Sequence, residues 1–395
     1  MRRKGAAGAS LVVSLLFGAM GSTQGVAAQV PDVEVLFEAE FPAGIAFGFG
    51  KMFFTERPGR IRVVEGGRLL PQPLATIPTT TSGESGLLGI AVPPDPADRA
   101  VYVFASAPDG SVNQVWRAPI DGDEPTLVVG DMPSGGYHNG GGLAFDDDGM
   151  LLVSNGEGHA AERSQDPYVF GGKIYRYTVL GEIPDDNPWP DSPAMSVGHR
   201  NPFGLAVDPE TGVAWTTENG PSNFDEINRS EPGSNQGWPL LSGPGCATQP
   251  DIDLCADPVL SYEDVIVPTG ISFAPPDAPR RYAGHLFFGA YGEPGIHEVV
   301  LDDARREAVS DELFVDEDEG VVAVAWGPRG LYYSTSTAVK LVPLGTEGGS
   351  EGEAPKPLPS GAPEGAEEET ETTGFVLVIV VLLVLFAASR RKLFR

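Results

Sequence analysis

Apolar and polar positions recur along this chain in one repeated phrase. A glycine or polar residue opens a short apolar strand, a turn carrying proline, aspartate or glycine follows, and a second apolar strand closes the phrase. The copies lie at 44–47 with 51–55, 88–92 with 101–105, 142–145 with 150–154, 204–207 with 213–217, 270–273 with 285–289, and 324–326 with 331–334. Copies recurring roughly every 45 to 65 residues predict one small sheet per repeat. Long amphipathic helical periods are absent, and glycine and proline punctuate the whole chain. The fold class this predicts is all-β: a six-bladed β-propeller, each blade a four-stranded sheet around a central channel. A β-sandwich is the competing reading, and it lacks regular repeats of this length. In a propeller, ligands sit at one mouth of the channel, on the loops that enter the inner strands.

The two ends read differently. Arg2, Arg3 and Lys4 precede a mostly apolar stretch, and Val26-Ala27-Ala28 supplies small residues, so 1–28 is expected to be a cleaved secretory signal peptide. Residues 29–342 form the propeller domain. Residues 343–373, rich in Gly, Pro and Glu, have the composition of a disordered acidic linker. Residues 374–389 are read as a transmembrane or sorting helix, and the basic tail 390–395 would stay cytoplasmic. A sorting enzyme that removes the tail is the other reading of this layout. The expected placement is an exported domain at the cell surface or periplasmic side, anchored by one C-terminal segment.

Composition narrows the partners. The chain carries 55 acidic and 26 basic residues, a formal net charge of -29. That excludes a nucleic-acid partner, whose phosphates need a basic face. The two cysteines, Cys246 and Cys255, share one polar loop. In an exported protein a loop disulfide is the default, and a metal pair without a nearby histidine is the lesser option.

Candidate chemistry clusters before and after inner strands. His138 stands in Tyr137-His138-Asn139-Gly140-Gly141-Gly142, and Glu157 follows the paired strand in Asn155-Gly156-Glu157-Gly158. A carboxylate beside a histidine fixes its tautomer and suits it to act as a general base; a histidine capping a turn is the competing reading. Arg200 and Asn201 precede another inner strand, and arginine captures carboxylates bidentately, or else braces carbonyls between blades. Gly220 and Pro221 offer backbone carbonyls at a loop tip, hard oxygen ligands of the kind Ca²⁺ takes. Asp225 and Glu226 could serve a cation or cap a turn. Trp238 reads as inter-blade packing, and Lys173 and Arg176 as structural strand-edge residues.

Three stretches carry a resemblance: GHRNPFGLAVDP, TENGPSNFDEIN with NQGWP, and GGKIYRYTVLGEIPDDNPW, with weaker support from FFTERPGRIRVV, GLLGIAV and HNGGGLAF. In that order they resemble the glucose/sorbosone dehydrogenase family of quinoprotein aldose dehydrogenases, over about 42–342. The resemblance implies the same six-bladed propeller, pyrroloquinoline quinone (PQQ) and Ca²⁺ as cofactors, a sugar substrate and an external electron acceptor. It implies that His138 is the base and Glu157 the carboxylate assisting it. Arg200, Asn201 and Asn219 match cofactor-contacting positions, and Gly220 and Pro221 match the carbonyls that hold Ca²⁺. The chain departs from the family pattern at three places. Gly142 stands where the family has Arg, Ala290-Tyr291-Gly292-Glu293 replaces a Lys-bearing stretch, and Glu317 to Val322 lacks the family's arginines. The expectation is therefore a surface-anchored sugar dehydrogenase. The alternative is a non-catalytic surface propeller that binds a glycan, ion or protein. A Ca²⁺-assisted hydrolase finds no nucleophile constellation here.

Overall fold

The computed structural model of the protein describes residues 32–345. The signal peptide, most of the linker, the membrane or sorting helix and the basic tail of the sequence reading lie outside the described residues. Among the described residues no helix is long and apolar enough to cross a membrane.

Six antiparallel sheets succeed one another along the chain, and each begins with one copy of the repeated phrase as its innermost pair of strands. The strands Leu143–Phe145, Leu151–Asn155, Lys173–Tyr177 and Ala194–Ser196 run in order from axis to rim in the third blade. The first blade carries a short extra strand, Ala75–Thr76, paired beside its third. The sixth blade is assembled from both ends of the domain. Its outer strand is Glu34–Glu38, which pairs antiparallel with Ala338–Pro343, Glu34 opposite Leu341. This strand exchange closes the ring and completes the sixth blade as a four-stranded sheet.

The buried apolar side chains divide into six clusters, one at each seam between blades. Phe53 and Ile61 of the first blade meet Val101 and Val103 of the second. Met52 and Phe54 of the first meet Tyr332 and Leu341 of the sixth, so the ring is sealed by packing as well as by strand pairing. The other four clusters join second to third, third to fourth, fourth to fifth and fifth to sixth.

The glycine at the head of the inner strand in the first five blades has a physical cause. A Cβ on Gly44 would stand 2.8 Å from the carbonyl oxygen of Leu88, and one on Gly270 would stand 2.5 Å from the amide nitrogen of Val324. Neighbouring inner strands touch backbone to backbone at this height, where only glycine fits. The strand register slips beside these glycines in the first, second, fourth and fifth blades. Hydroxyls at the ends of second strands reinforce the seams. Thr55 donates to Leu88 O at 2.5 Å, Thr217 to Thr269 O at 2.6 Å, and Ser334 to Pro42 O at 2.7 Å.

The structural readings of the loop and strand-edge residues hold. Cys246 and Cys255 are joined as a disulfide. Lys173 is fully buried and donates from Nζ to Arg163 O and Gly171 O, with burial pushing its amine down to about 7. Arg176 is held by Asp146, Asp148 and Asp186.

Candidate active site at the channel mouth

The loops that enter inner strands meet at one end of the channel, and the third and fourth blades bring His138, Glu157 and Arg200 together there. His138 Nδ1 lies 2.7 Å from Glu157 Oε1. On its other side, His138 Nε2 lies 3.0 Å from Arg200 Nη2. A guanidinium can only donate, so Nε2 carries the lone pair and Nδ1 carries the proton, which it gives to Glu157. Nε2 is thus the acceptor nitrogen of the ring, and Arg200 engages it.

The surrounding backbone holds that geometry. His138 has φ +55, a conformation that costs a non-glycine residue energy, and its amide donates to Glu84 Oε2 at 2.8 Å. The Glu157 amide donates to Arg200 O at 2.9 Å, and its Oε2 accepts from the Ala160 amide at 2.8 Å. Burial opposes ionisation of Glu157. The His138 contact, the Ala160 bond and the Arg200 charge outweigh it and hold the carboxyl below the ordinary carboxylate value. Burial in turn pulls the Arg200 guanidinium down, against the nearby Glu218 and Glu157, and it remains a cation.

Arg200 is fixed from three sides. Its Nη1 donates to Asn219 O at 2.7 Å and to Gly220 O at 3.0 Å, and its carbon lies 5.5 Å from the centre of the Trp238 ring. Its amide donates to Glu218 Oε1 at 2.9 Å. Glu218, the last residue of the strand Ala214–Glu218, also accepts from the Asn201 amide and lies 3.0 Å from His199 Nδ1. One buried carboxylate thus orders the whole His199-Arg200-Asn201 turn. His199 itself is fully buried and bonded to Ser196, so it serves the scaffold.

The amides read from sequence as cofactor contacts are largely engaged by the protein. Asn201 Oδ1 accepts from the Gly140 amide at 3.0 Å, and its Nδ2 donates to Asn219 Oδ1 at 3.2 Å. Asn219 Nδ2 donates to Pro268 O at 2.9 Å. The two side chains tie three blades together beneath the mouth. Asp225 caps the Gly220 loop, accepting from the amides of Gly220, Ile266 and Val267. Pro221 is exposed at the edge of the network. Trp238, expected to pack between blades, lies against the arginine of the site.

The mouth has an aromatic wall. Phe41, Phe203 and Tyr291 pack half-buried on the core cluster that includes Leu88 and Val322. The Tyr291 ring lies on Gly320, where a Cβ would fall 2.6 Å from its Cγ. At Gly142 a Cβ would fall 2.6 Å from Leu205 Cβ, so no larger side chain fits there. Gly142 and Tyr291 therefore build close-packed surface at two of the departures from the family pattern, while the third is acidic, with Glu317 bound by Tyr333 and Lys340 and Glu319 by Ser336 and Thr337. Arg57, over the Phe41 ring, grips the 81–85 loop through the carbonyls of Thr81, Gly83 and Ser85 and positions Glu84. The sequence reading missed Glu84, Arg57 and Glu218, whose partners are remote in sequence.

Glu226 lies buried behind the Gly220 loop. Burial above all, with repulsion from Glu218 and Asp225, pushes its carboxyl up to about 7 against the bonds from Asn228 and Gly243. The folded state binds this proton more tightly than the unfolded chain does. The stabilisation is therefore complete below the ordinary value of 4.5 and is lost as pH rises through 7. Glu226→Gln is expected to raise stability by about 2 kcal/mol near pH 8 and to change little near pH 4. Urea unfolding at the two pH values checks this, and an equal effect at both would contradict the assignment.

The family profile described as Glucose / Sorbosone dehydrogenase matches residues 39–341. The chain is 31% identical over 309 residues to the aldose sugar dehydrogenase YliI of Escherichia coli, covering 71% of this chain and 82% of that protein. A solved Thermus thermophilus oxidoreductase described as a glucose dehydrogenase is 33% identical with a TM-score of 0.70, covering 78% of this chain and 99% of its own. The PQQ-bound aldose sugar dehydrogenase of Streptomyces coelicolor is 30% identical with a TM-score of 0.67, covering 80% and 98%.

Proposed function

The chain belongs to the glucose/sorbosone dehydrogenase family, and on that premise we propose that it is an exported, surface-anchored sugar dehydrogenase that oxidises C1 of an aldose with PQQ and Ca²⁺. The observation that carries this reading is His138, with Nδ1 2.7 Å from the Glu157 carboxylate and Nε2, the acceptor nitrogen, 3.0 Å from Arg200. A sugar hydroxyl that takes the place of Arg200 at Nε2 would find there an acceptor for its proton.

The residues present suit a planar anionic quinone. The channel below the mouth encloses only about 90 Å³, so a cofactor would lie on the rim. There the wall of Phe41, Phe203 and Tyr291 offers stacking surface, and the guanidinium groups of Arg57 and Arg200 offer positive charge. The carbonyls of Gly220 and Pro221 have the hard-oxygen chemistry of Ca²⁺ ligands. Gly220 O accepts from Arg200, so metal and guanidinium share that acceptor. PQQ, when bound, supplies the two-electron acceptor that takes hydride from C1 and passes the electrons to an external acceptor.

The chain's own residues handle the proton and the charge. His138 Nε2 receives the C1 hydroxyl proton. Glu157, ionised at neutral pH, stabilises the imidazolium that forms. Arg200, 3.0 Å from Nε2, is within reach of the oxygen that loses the proton and opposes its developing charge. Glu84 holds the His138 backbone while the imidazole changes charge.

Titration of the purified protein with PQQ, with and without Ca²⁺, tests the reading. Saturable Ca²⁺-dependent binding with dye-linked oxidation of an aldose is the expected result. Absence of saturable binding would sink the dehydrogenase and leave a propeller that serves recognition.

A further inference from the structure

Tyr137 immediately precedes the base and is about half exposed, at 48%. A single exposed tyrosine needs no explanation. This one is the outer rung of an aromatic ladder. Its ring meets His159 edge-on at 5.8 Å, and the exposed His159 ring lies 4.3 Å from His138, tilted by 36°. Both histidines sit at positive φ, +55 and +62, a region in which His, like Asn and Asp, is enriched. The two turns present these rings side by side.

The ladder is rigid. The Glu84 amide donates to Gly136 O at 2.7 Å and Glu84 Oε2 accepts from the His138 amide at 2.8 Å, so the 82–85 loop clamps both sides of Tyr137. A Cβ on Gly83 would overlap Gly136 O, and the bare glycine lets the clamp close. A rigid exposed aromatic loses little conformational entropy when a ligand covers it.

We propose that Tyr137 and His159 form a second sugar-ring subsite on the rim, so that the protein prefers the reducing end of a neutral disaccharide or longer glycan to a monosaccharide. The inference rests on the reading of His138 as the base for C1 of an aldose. In a glycan only the reducing-end ring offers that carbon, and every other ring must extend away from His138. The narrow channel closes the inward route. The outward route passes over His159 and Tyr137, whose ring faces suit the C–H face of a pyranose. The carboxylates of Glu84 and Glu157 beside this path disfavour an acidic glycan.

Calorimetric titration of the purified protein with glucose and with cellobiose, with PQQ and Ca²⁺ present and no electron acceptor, tests the subsite. Cellobiose is expected to bind about tenfold more tightly than glucose. Tyr137→Ala should bring that ratio to about one, while Tyr137→Phe, which keeps the ring, should preserve it. Equal affinities in the wild type, or a ratio that survives Tyr137→Ala, would overturn the subsite and leave the dehydrogenase reading intact. Cellobiose bound with the expected ratio but never oxidised would overturn the dehydrogenase and leave the subsite. Failure of both sugars to bind would overturn both.

Discussion

His138→Ala is expected to lower kcat/KM for aldose oxidation by about 10²–10⁴-fold, the range over which a positioned general base contributes. The loss should fall on kcat, because the imidazole accepts its proton in the transition state and contributes little to ground-state binding. Cofactor affinity should change less than kcat, since of the groups offered to the cofactor it is Arg200 that loses a contact, the one to Nε2. Steady-state kinetics with a parallel PQQ titration separates the two quantities. A His138→Ala protein that keeps kcat would show that the Glu157–His138–Arg200 row is a structural brace. The row has features of both roles, and electrostatics distinguishes them. A brace of ion pairs would set both ring nitrogens as donors to carboxylates, yet the guanidinium against Nε2 makes that nitrogen an acceptor, the role a base needs.

The propeller was legible in the sequence because its cause is local. The glycine at the head of the inner strand in the first five blades is forced by backbone contact between inner strands, and the apolar pairs that follow fill the seams. The outer strands left weaker marks. Ala308–Asp316 exposes Val309 and Leu313, and Glu34–Glu38 exposes Val35, so neither shows a clean alternation. The ring closure between Glu34–Glu38 and Ala338–Pro343 was therefore invisible, being a pairing of the two ends of the domain. The site divides the same way. His138 and Glu157 flank one pair of strands, and their proximity followed from the repeat. Asn201 and Asn219 were read as cofactor contacts from their place in a motif, and their bonds to Gly140 and Pro268, remote in sequence, left no mark there. Glu84 contacts His138 across 54 residues, and nothing in either segment announces the partner. His159 and Tyr137 become a pair only because two turns bring their rings together.

Gly156→Ala is expected to cost about 10²-fold or more in kcat/KM, although residue 156 contributes no functional group. A Cβ at this position would overlap the carbonyl oxygen of His138, stand 2.6 Å from its carbonyl carbon and 3.1 Å from Arg200 O. All of these are backbone atoms, which cannot swing aside as a side chain would. The turns carrying the base and the guanidinium must therefore part. Each is tied down elsewhere, His138 to Glu84 and Arg200 to Glu218, so the strain falls on the 3.0 Å contact between them. A displacement of about 1 Å in a reacting group is enough for a hundredfold loss. Overpacking of this kind also lowers stability by about 1–3 kcal/mol, far less than a domain with six packed seams needs to unfold. The variant should therefore melt at a somewhat lower temperature yet remain folded, with the deficit in kcat. Gly130→Ala is the matched control, because its Cβ would meet only Leu127 Cδ2, at an ordinary 3.6 Å. If Gly156→Ala retained full turnover, the close approach of the His138 and Arg200 turns would be incidental to catalysis. If it lost activity only by unfolding, the glycine would belong to the scaffold. Loss of kcat in a folded protein would place the cause in the spacing of two backbones, set by the absence of a single methyl group.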